Sequence, residues 1–253
     1  MELSLHERIQ NAASSIQVEN VKARHSYYHA TAPGLKEYDT IWTHRPDTTW
    51  GHGDGRMNGI DSVKMYQVNM FDFKAYTNYI DLVQVYPKEV GGLDPHPLLE
   101  ISMHLLATDI VEVAKDGQSA RSMYLTPGML FSWLCPEKEI WGACLWERYG
   151  TDYLLEDGEW KIHHDQVCPD FMFDLDVKSN WARKMYKYMT EDSFPDGVPN
   201  NRWGVSEPGT IHRMYTPVQP PQDTVPWPEP YDTFDFENNY ATIPVDPVNA
   251  QML

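Results

Sequence analysis

The sequence predicts an α+β fold. The expected form is a cone made by one strongly curved, mainly antiparallel sheet, with N-terminal helices packed over its concave face and a proline-rich arm at the C-terminus. Three observations predict it. Helical periodicity fills the first part of the chain and strand alternation the middle, an order that separates helices from strands instead of interleaving them. The stretch 146–171 reads as two strands joined by the turn Glu156-Asp157-Gly158-Glu159, where Asp-Gly supplies the positive φ angles of a tight hairpin. Eleven of the nineteen prolines fall in residues 195–253, a composition that builds no core of its own.

Taken in order, residues 4–32 predict a helix with Val18, Val21, His25 and Tyr28 on one face, Tyr27 and His29 flanking it, and Pro33-Gly34 as the stop. A short helix over 35–42 carries Tyr38 and Asp39. A small hairpin is expected around Gly53-Asp54-Gly55. Residues 60–82 hold the strongest helical pattern, with Val63, Tyr66, Met70, Phe73, Thr77 and Ile80 in one stripe that reads as core. A Gly- and Pro-rich loop spans 87–97. Strands follow at 104–113, 120–125, 145–155 and 160–168, with 129–140 as an aromatic loop or ragged strand and a further helix at 178–189. The chain thus divides into a cone domain, 1–194, and an arm, 195–253. Trp203, Trp227, Tyr231, Phe234, Phe236 and Tyr240 are spaced through the arm. They imply that it wraps its own domain or a partner subunit.

Composition excludes several classes of function. A chain of 253 residues with 42% hydrophobic and 13% aromatic residues buries a sizeable core. A formal net charge of −17 opposes nucleic acid and anionic lipid as partners. No apolar run reaches the ~20 residues of a membrane span, and MELSLHERIQ lacks a basic-then-apolar leader. Cys135, Cys144 and Cys168 have no CxxC spacing and read as reduced thiols, which points to the cytoplasm. GHGDG at 51–55 lacks the Lys-Ser/Thr of a phosphate loop, and neither HExxH nor GxSxG occurs. His163 and His164 are neighbours on a strand and point apart, so they form no metal site. Neither a metal nor an organic cofactor is expected.

Regular alternation places Trp160, Ile162, His164, Gln166 and Cys168 on one face of the last strand, and Lys161, His163, Asp165 and Val167 on the other. Trp160 and Ile162 mark the first face as buried, so His164 and Gln166 are expected to continue it inward, as a pocket floor or as core. His104 shares a face with Thr108 and Glu112. Asp109 lies opposite and meets His104 only through a bulge. Arg148 is expected to pair with Asp152 or to bind a substrate carboxylate, His52 to sit at a rim or the surface, and Cys168 to have no base partner.

Five motifs occur in a fixed order over about residues 15–172. They are Arg24–His29 (RHSYYH), Tyr38–Trp42, Gly55–Gly59, Ile110–Ala120 (IVEVAKDGQSA) and Gly150–His164, which ends in GEWKIHH. In these motifs the chain resembles the SnoaL-like branch of the nuclear transport factor 2-like superfamily. That superfamily includes scytalone dehydratase, ketosteroid isomerase, polyketide cyclases and the small subunits of ring-hydroxylating dioxygenases. The resemblance implies a cofactor-independent lyase or isomerase acting on a small hydrophobic cyclic, aromatic or steroid-like substrate, or alternatively a non-catalytic binding protein or oxygenase subunit. In scytalone dehydratase and its relatives a first-helix Tyr followed by Asp works with strand histidines. Tyr28 matches that Tyr, but His29 follows it, so Asp39 or Asp109 is expected to supply the carboxylate. The implied catalytic set is Tyr28, His104, His164, Asp39 and Asp109. His29, Trp50, Tyr66, Tyr149 and Gln166 are the implied substrate contacts. Members of this fold pair through the outer face of the sheet, which implies a homo-oligomer, at least a dimer.

Overall fold

The structure, a computed structural model, describes residues 3–31, 36–52, 55–66, 87–90, 101–134, 139–175, 206–207 and 225–244. Helix α1 (Leu5–Thr31) starts in a capping box: the Ser4 hydroxyl accepts from the Glu7 amide at 3.3 Å, and the Glu7 carboxylate accepts from the Ser4 amide at 2.7 Å. Its inner face buries Val18 and Val21, and its outer face leaves Leu5, Ile9, Ile16 and Tyr27 exposed. Helix α2 (Lys36–Thr40) is short. Strands β1 (Thr49–His52) and β2 (Gly55–Asn58) form the expected small hairpin. Helix α3 begins at residue 60 and is described to 66. Met70, Phe73, Thr77, Ile80 and the helix expected at 178–189 lie outside the described residues. Within 87–97, expected as loop, Pro87–Val90 forms a single helical turn, α4.

Strands β3 (Ile101–His104), β4 (Ala107–Val113), β5 (Ser119–Leu134), β6 (Glu139–Glu156) and β7 (Glu159–Asp174) follow. All seven strands make one large open curved sheet in the order β2-β1-β7-β6-β5-β3, with β4 also on β5. Its pairings are antiparallel except that of β1 with β7. The α+β class is therefore as the sequence predicts. The turn is too: Glu156 pairs with Glu159, and Asp157 and Gly158 take φ of 53° and 81°.

Besides a register shift between Trp146 and Glu147, two departures from regular strands bear on the site. The single strand expected over 104–113 is broken into β3 and β4, which pair with different stretches of β5. Opposite the break stands Pro127, which has no amide to donate and instead accepts from the Leu105 amide at 3.1 Å. Thr108 then takes a φ of 50°, and the register shifts between Ala107 and Ile110. Of the segment expected as an aromatic loop or ragged strand, 129–140, residues 129–134 prolong β5 and residues 139–140 begin β6.

The second feature decides the site. In the β6–β7 ladder Asp152 pairs with His164 while Tyr153 pairs with Ile162, so His163 is the extra residue of a β-bulge. A bulge shifts alternation by one residue. Trp160 and Ile162 still face the helices, but beyond the bulge Asp165 and Val167 face them, and His164, Gln166 and Cys168 do not.

Two apolar clusters follow. The inner one joins Val18 and Val21 of α1, Tyr38, Ile41 and Trp42 to Trp50, Tyr149, Tyr153, Ile162 and Val167 of the sheet. The outer one joins Met123 and Cys168 to Val225, Tyr240 and Ile243, so the C-terminal segment packs on the sheet's outer face. Among the described residues no helix is long and apolar enough to cross a membrane.

Candidate functional site

Beneath α1 the inner face holds a continuous polar cluster. Helix α1 contributes Lys22, His25 and His29, which recur at spacings of three and four and therefore project from one face. Lys22 is fully buried and its ammonium reaches Asp165 at 2.5 Å. The same carboxylate oxygen accepts from Thr151 at 2.6 Å. The other, Oδ2, faces His25 Nε2 at 3.5 Å. His25 Nδ1 is 2.5 Å from Glu37 of α2, and Trp42 Nε1 donates to the same Glu37 oxygen at 3.0 Å. His29 Nε2 stands 3.5 Å from the second Glu37 oxygen. The cluster continues toward the sheet. The rings of His29 and His104 lie 6.4 Å apart, and the Tyr149 hydroxyl is 2.9 Å from His104 Nδ1 and donates to Glu147 at 3.0 Å. His104 Nδ1 is 3.2 Å, and His52 Nε2 3.9 Å, from Glu147. A hydrogen bond from the Ser26 hydroxyl to the His104 carbonyl ties α1 to β3.

Burial sets the electrostatics. It pushes His25 and His29 down to about 3, with the neighbouring Lys22 and His25 charges adding to the effect, so both imidazoles are neutral. Burial likewise lowers Lys22, against the pull of Asp165, and raises Glu37. Burial alone would raise Glu147, but the hydrogen bonds and charges of His104 and His52 outweigh it and hold the carboxyl at about 2. The Tyr149 hydroxyl is driven well above its ordinary range by burial and by the adjacent Glu147 charge, so it stays a protonated donor.

The sequence-predicted residues divide between the two faces. His104, His29 and Tyr149 meet in the cluster. Trp50 and Tyr66 pack beside it, ring centroids 5.1 Å apart, and Trp50 stacks on His52 at 5.5 Å. Tyr28 is only partly buried and its hydroxyl lies 3.4 Å from the Thr40 hydroxyl of α2; the next residue, His29, turns toward His104 instead. Asp39 is exposed and pairs with Lys64, and Asp109 is exposed on β4 despite the bulge beside it. Neither supplies the orienting carboxylate; Glu37, Asp165 and Glu147 stand in those positions.

His164 lies on the outer face, its Nδ1 3.0 Å from Asp152 and its Nε2 3.0 Å from the Asp47 carbonyl, with Phe234 against its ring. Gln166 shares that face and packs under Gly51. The convergence of Tyr28, His104 and His164 on one pocket is thus overturned by the bulge at His163. Arg148 pairs with Asp170 and not with Asp152, which instead binds Arg121 and the Tyr240 amide. His52 is half-buried against Glu147, and Cys168 is buried in the outer cluster.

Lys22, His25, Glu37, Glu147 and Asp165 were the functional candidates the sequence concealed. The helical spacing of Lys22, His25 and His29 is a legible signal; the bulge that turns Asp165 inward is not.

No family model matches the chain, and no curated protein does. Among solved structures it is similar to a protein from Novosphingobium aromaticivorans assigned as a scytalone dehydratase, at 12% identity over 68% of this chain and 94% of that one, with a TM-score of 0.44. It is also similar to hexachlorocyclohexane dehydrochlorinase LinA-type3 from Novosphingobium barchaimii, at 15% identity over 70% and 98%, with a TM-score of 0.43. A nuclear transport factor 2-like superfamily protein from Salmonella enterica gives 12%, 67%, 99% and 0.42 in the same order. The superfamily that the sequence resembles is thus represented among the similar structures. These are resemblances of fold, and only the side chains of this chain bear on its chemistry.

Proposed function

We propose that the chain is a lyase or isomerase that moves protons on a small hydrophobic cyclic substrate held at the inner face, with His104 as general base. The observation that carries this reading is the His104–Tyr149–Glu147 arrangement. Tyr149 has one hydroxyl proton and gives it to Glu147, so its oxygen accepts from His104 Nδ1. That bond and Glu147 fix the tautomer with the proton on Nδ1, and Nε2 carries the lone pair that takes a substrate proton. Partial exposure supports access. His29, His104 and His52 keep 11%, 12% and 20% of their side-chain surface, whereas Lys22, Glu37 and Asp165 behind them keep 1% or less. Trp50 and Tyr66, in ring contact, and Tyr149 belong to the inner apolar cluster beside these histidines and supply aromatic surface suited to a flat ring.

Removing a positioned acid or base costs about 10²–10⁴ in rate. Screening hydroxylated aromatic and steroid-like compounds by thermal shift, then by turnover, should yield a substrate on which His104→Asn, Glu147→Gln and Tyr149→Phe each slow turnover by about that factor. Unchanged turnover in folded His104→Asn protein would refute the assignment of the base.

A further inference from the structure

We propose that His25, His29 and Glu37 form a binding site for a divalent first-row transition metal ion of the zinc class. Two observations carry this independently of each other.

The first is geometry. One donor atom from each of the three residues lies within 4.8 Å of the others. His25 and His29 are one helical turn apart on α1 and present their imidazoles on one side, with ring centroids 4.3 Å apart. Glu37 closes the set from α2, with Oε1 2.5 Å from His25 Nδ1 and Oε2 3.5 Å from His29 Nε2. Ligands about 2.1 Å from a tetrahedral ion stand roughly 3.4 Å from one another, so the His29–Glu37 separation already fits. The His25–Glu37 contact is a hydrogen bond whose shared proton an ion would replace, with an opening of about 1 Å. Two imidazoles and one carboxylate, with a further position open, suit zinc and its first-row neighbours rather than calcium or magnesium. The donors are also held from behind, as metal ligands are. His25 turns its other nitrogen to Asp165, Asp165 is anchored by Lys22 and Thr151, and Glu37 accepts from Trp42.

The second is charge. Among the described residues of the cluster, three buried carboxylates, Glu37, Asp165 and Glu147, face one buried ammonium, Lys22. Uncompensated buried charge is expensive. Within the same enclosed volume the balance is met either by extra protons on these groups or by a cation. One divalent ion supplies the same charge at the centre of the donor set.

The site deepens the proposed function and rests on it only for its chemistry. Its ligand His29 neighbours His104, so a bound ion would polarise the substrate oxygen whose adjacent proton His104 removes. The binding itself stands or falls without any substrate.

The test uses the full chain, stripped with chelator and then titrated with Zn²⁺ and with Co²⁺. One equivalent per chain should survive desalting, and Co²⁺ should give visible absorption bands of an N,O-coordinated ion. Glu37→Gln and His29→Gln should abolish retention with an unchanged circular dichroism spectrum. Asp165→Asn, acting through His25, should weaken affinity about 10–100-fold. His104→Asn should retain the ion while losing turnover, which separates failure of this site from failure of the acid–base reading. No retained ion in the wild-type chain, or retention undiminished in folded Glu37→Gln and His29→Gln, would overturn the proposal.

Discussion

At the scale of single residues, the bulge residue His163 shows how burial becomes a pH dependence. Its side chain is fully buried, with Nδ1 3.0 Å from the Thr43 hydroxyl and its ring against Phe234. Burial, reinforced by the His164 charge, pushes it from 6.5 down to about 3. A histidine depressed in the folded state favours folding only while it is neutral. Its contribution is complete above about pH 6.5 and is lost as pH falls from there toward 3. The loss is about 1.4 kcal/mol per pH unit below 6.5. His163→Gln should therefore flatten the fall of Tm between pH 6.5 and 4.5 relative to the wild-type chain. Parallel wild-type and variant curves would show that His163 does not carry this dependence. The buried Lys22–Asp165 pair acts differently, since each partner compensates the other at 2.5 Å. Asp165→Ala should cost about 3–5 kcal/mol by stranding the lysine, as removal of one partner of a buried pair does. Lys22→Met in addition should recover a large part of that loss in chemical denaturation.

At the scale of elements, what could be read from the sequence and what could not are separated by one residue. The Asp-Gly turn, α1, the β1–β2 hairpin and the long antiparallel pair all carry local signals, because turn chemistry and periodicity act over a few residues. His104, His29 and Tyr149, which the resemblance implied as site residues, lie together in the inner polar cluster. His164 and Gln166 were misplaced because alternation was continued through position 163, and no local feature of EWKIHHDQV marks an extra residue there. Asp39 and Asp109 were chosen for charge and proximity in sequence; what turns them out to solvent is tertiary packing. The register of β1 against β7 tests the corrected faces directly. Gly51 pairs with Gln166, and a Cβ at Gly51 would stand 2.1 Å from the Gln166 side-chain oxygen. Gly51→Ala should destabilise by about 1–3 kcal/mol, as overpacking does. Gln166→Ala in the same chain should relieve most of that loss. If the two effects are simply additive, Gln166 does not occupy the outer face beneath Gly51.

At the scale of the whole molecule, among the described residues helices pack on the inner face of the sheet and residues 225–243 on part of its outer face. The tail that composition marks as unable to form a core instead completes one. Val225 and Tyr240 pack over Gly150, where a Cβ would come within 2.6 Å of either, and Ile243 joins them against Met123 and Cys168. Polar contacts fix the segment as well: the Tyr240 amide donates to Asp152, and Arg56 donates to the Ile243 carbonyl at 2.6 Å. The outer face, through which self-association was expected, is in this region already occupied by the same chain. Removing residues 225–253 would bare Met123 and Cys168 and strip Asp152 of one of its donors. Burial of a large apolar side chain stabilises by about 1.5–3 kcal/mol, so losing Val225, Tyr240 and Ile243 approaches the 5–15 kcal/mol that holds a typical domain together. The truncated chain should melt well below the full chain, bind a hydrophobic dye, and sediment as larger species through its bared face. Tyr240→Ala alone should lower stability by about 3 kcal/mol or more, in line with losses of other buried aromatics. A truncated chain that keeps both the Tm and the sedimentation coefficient expected for its mass would show that the segment is not part of the fold's core.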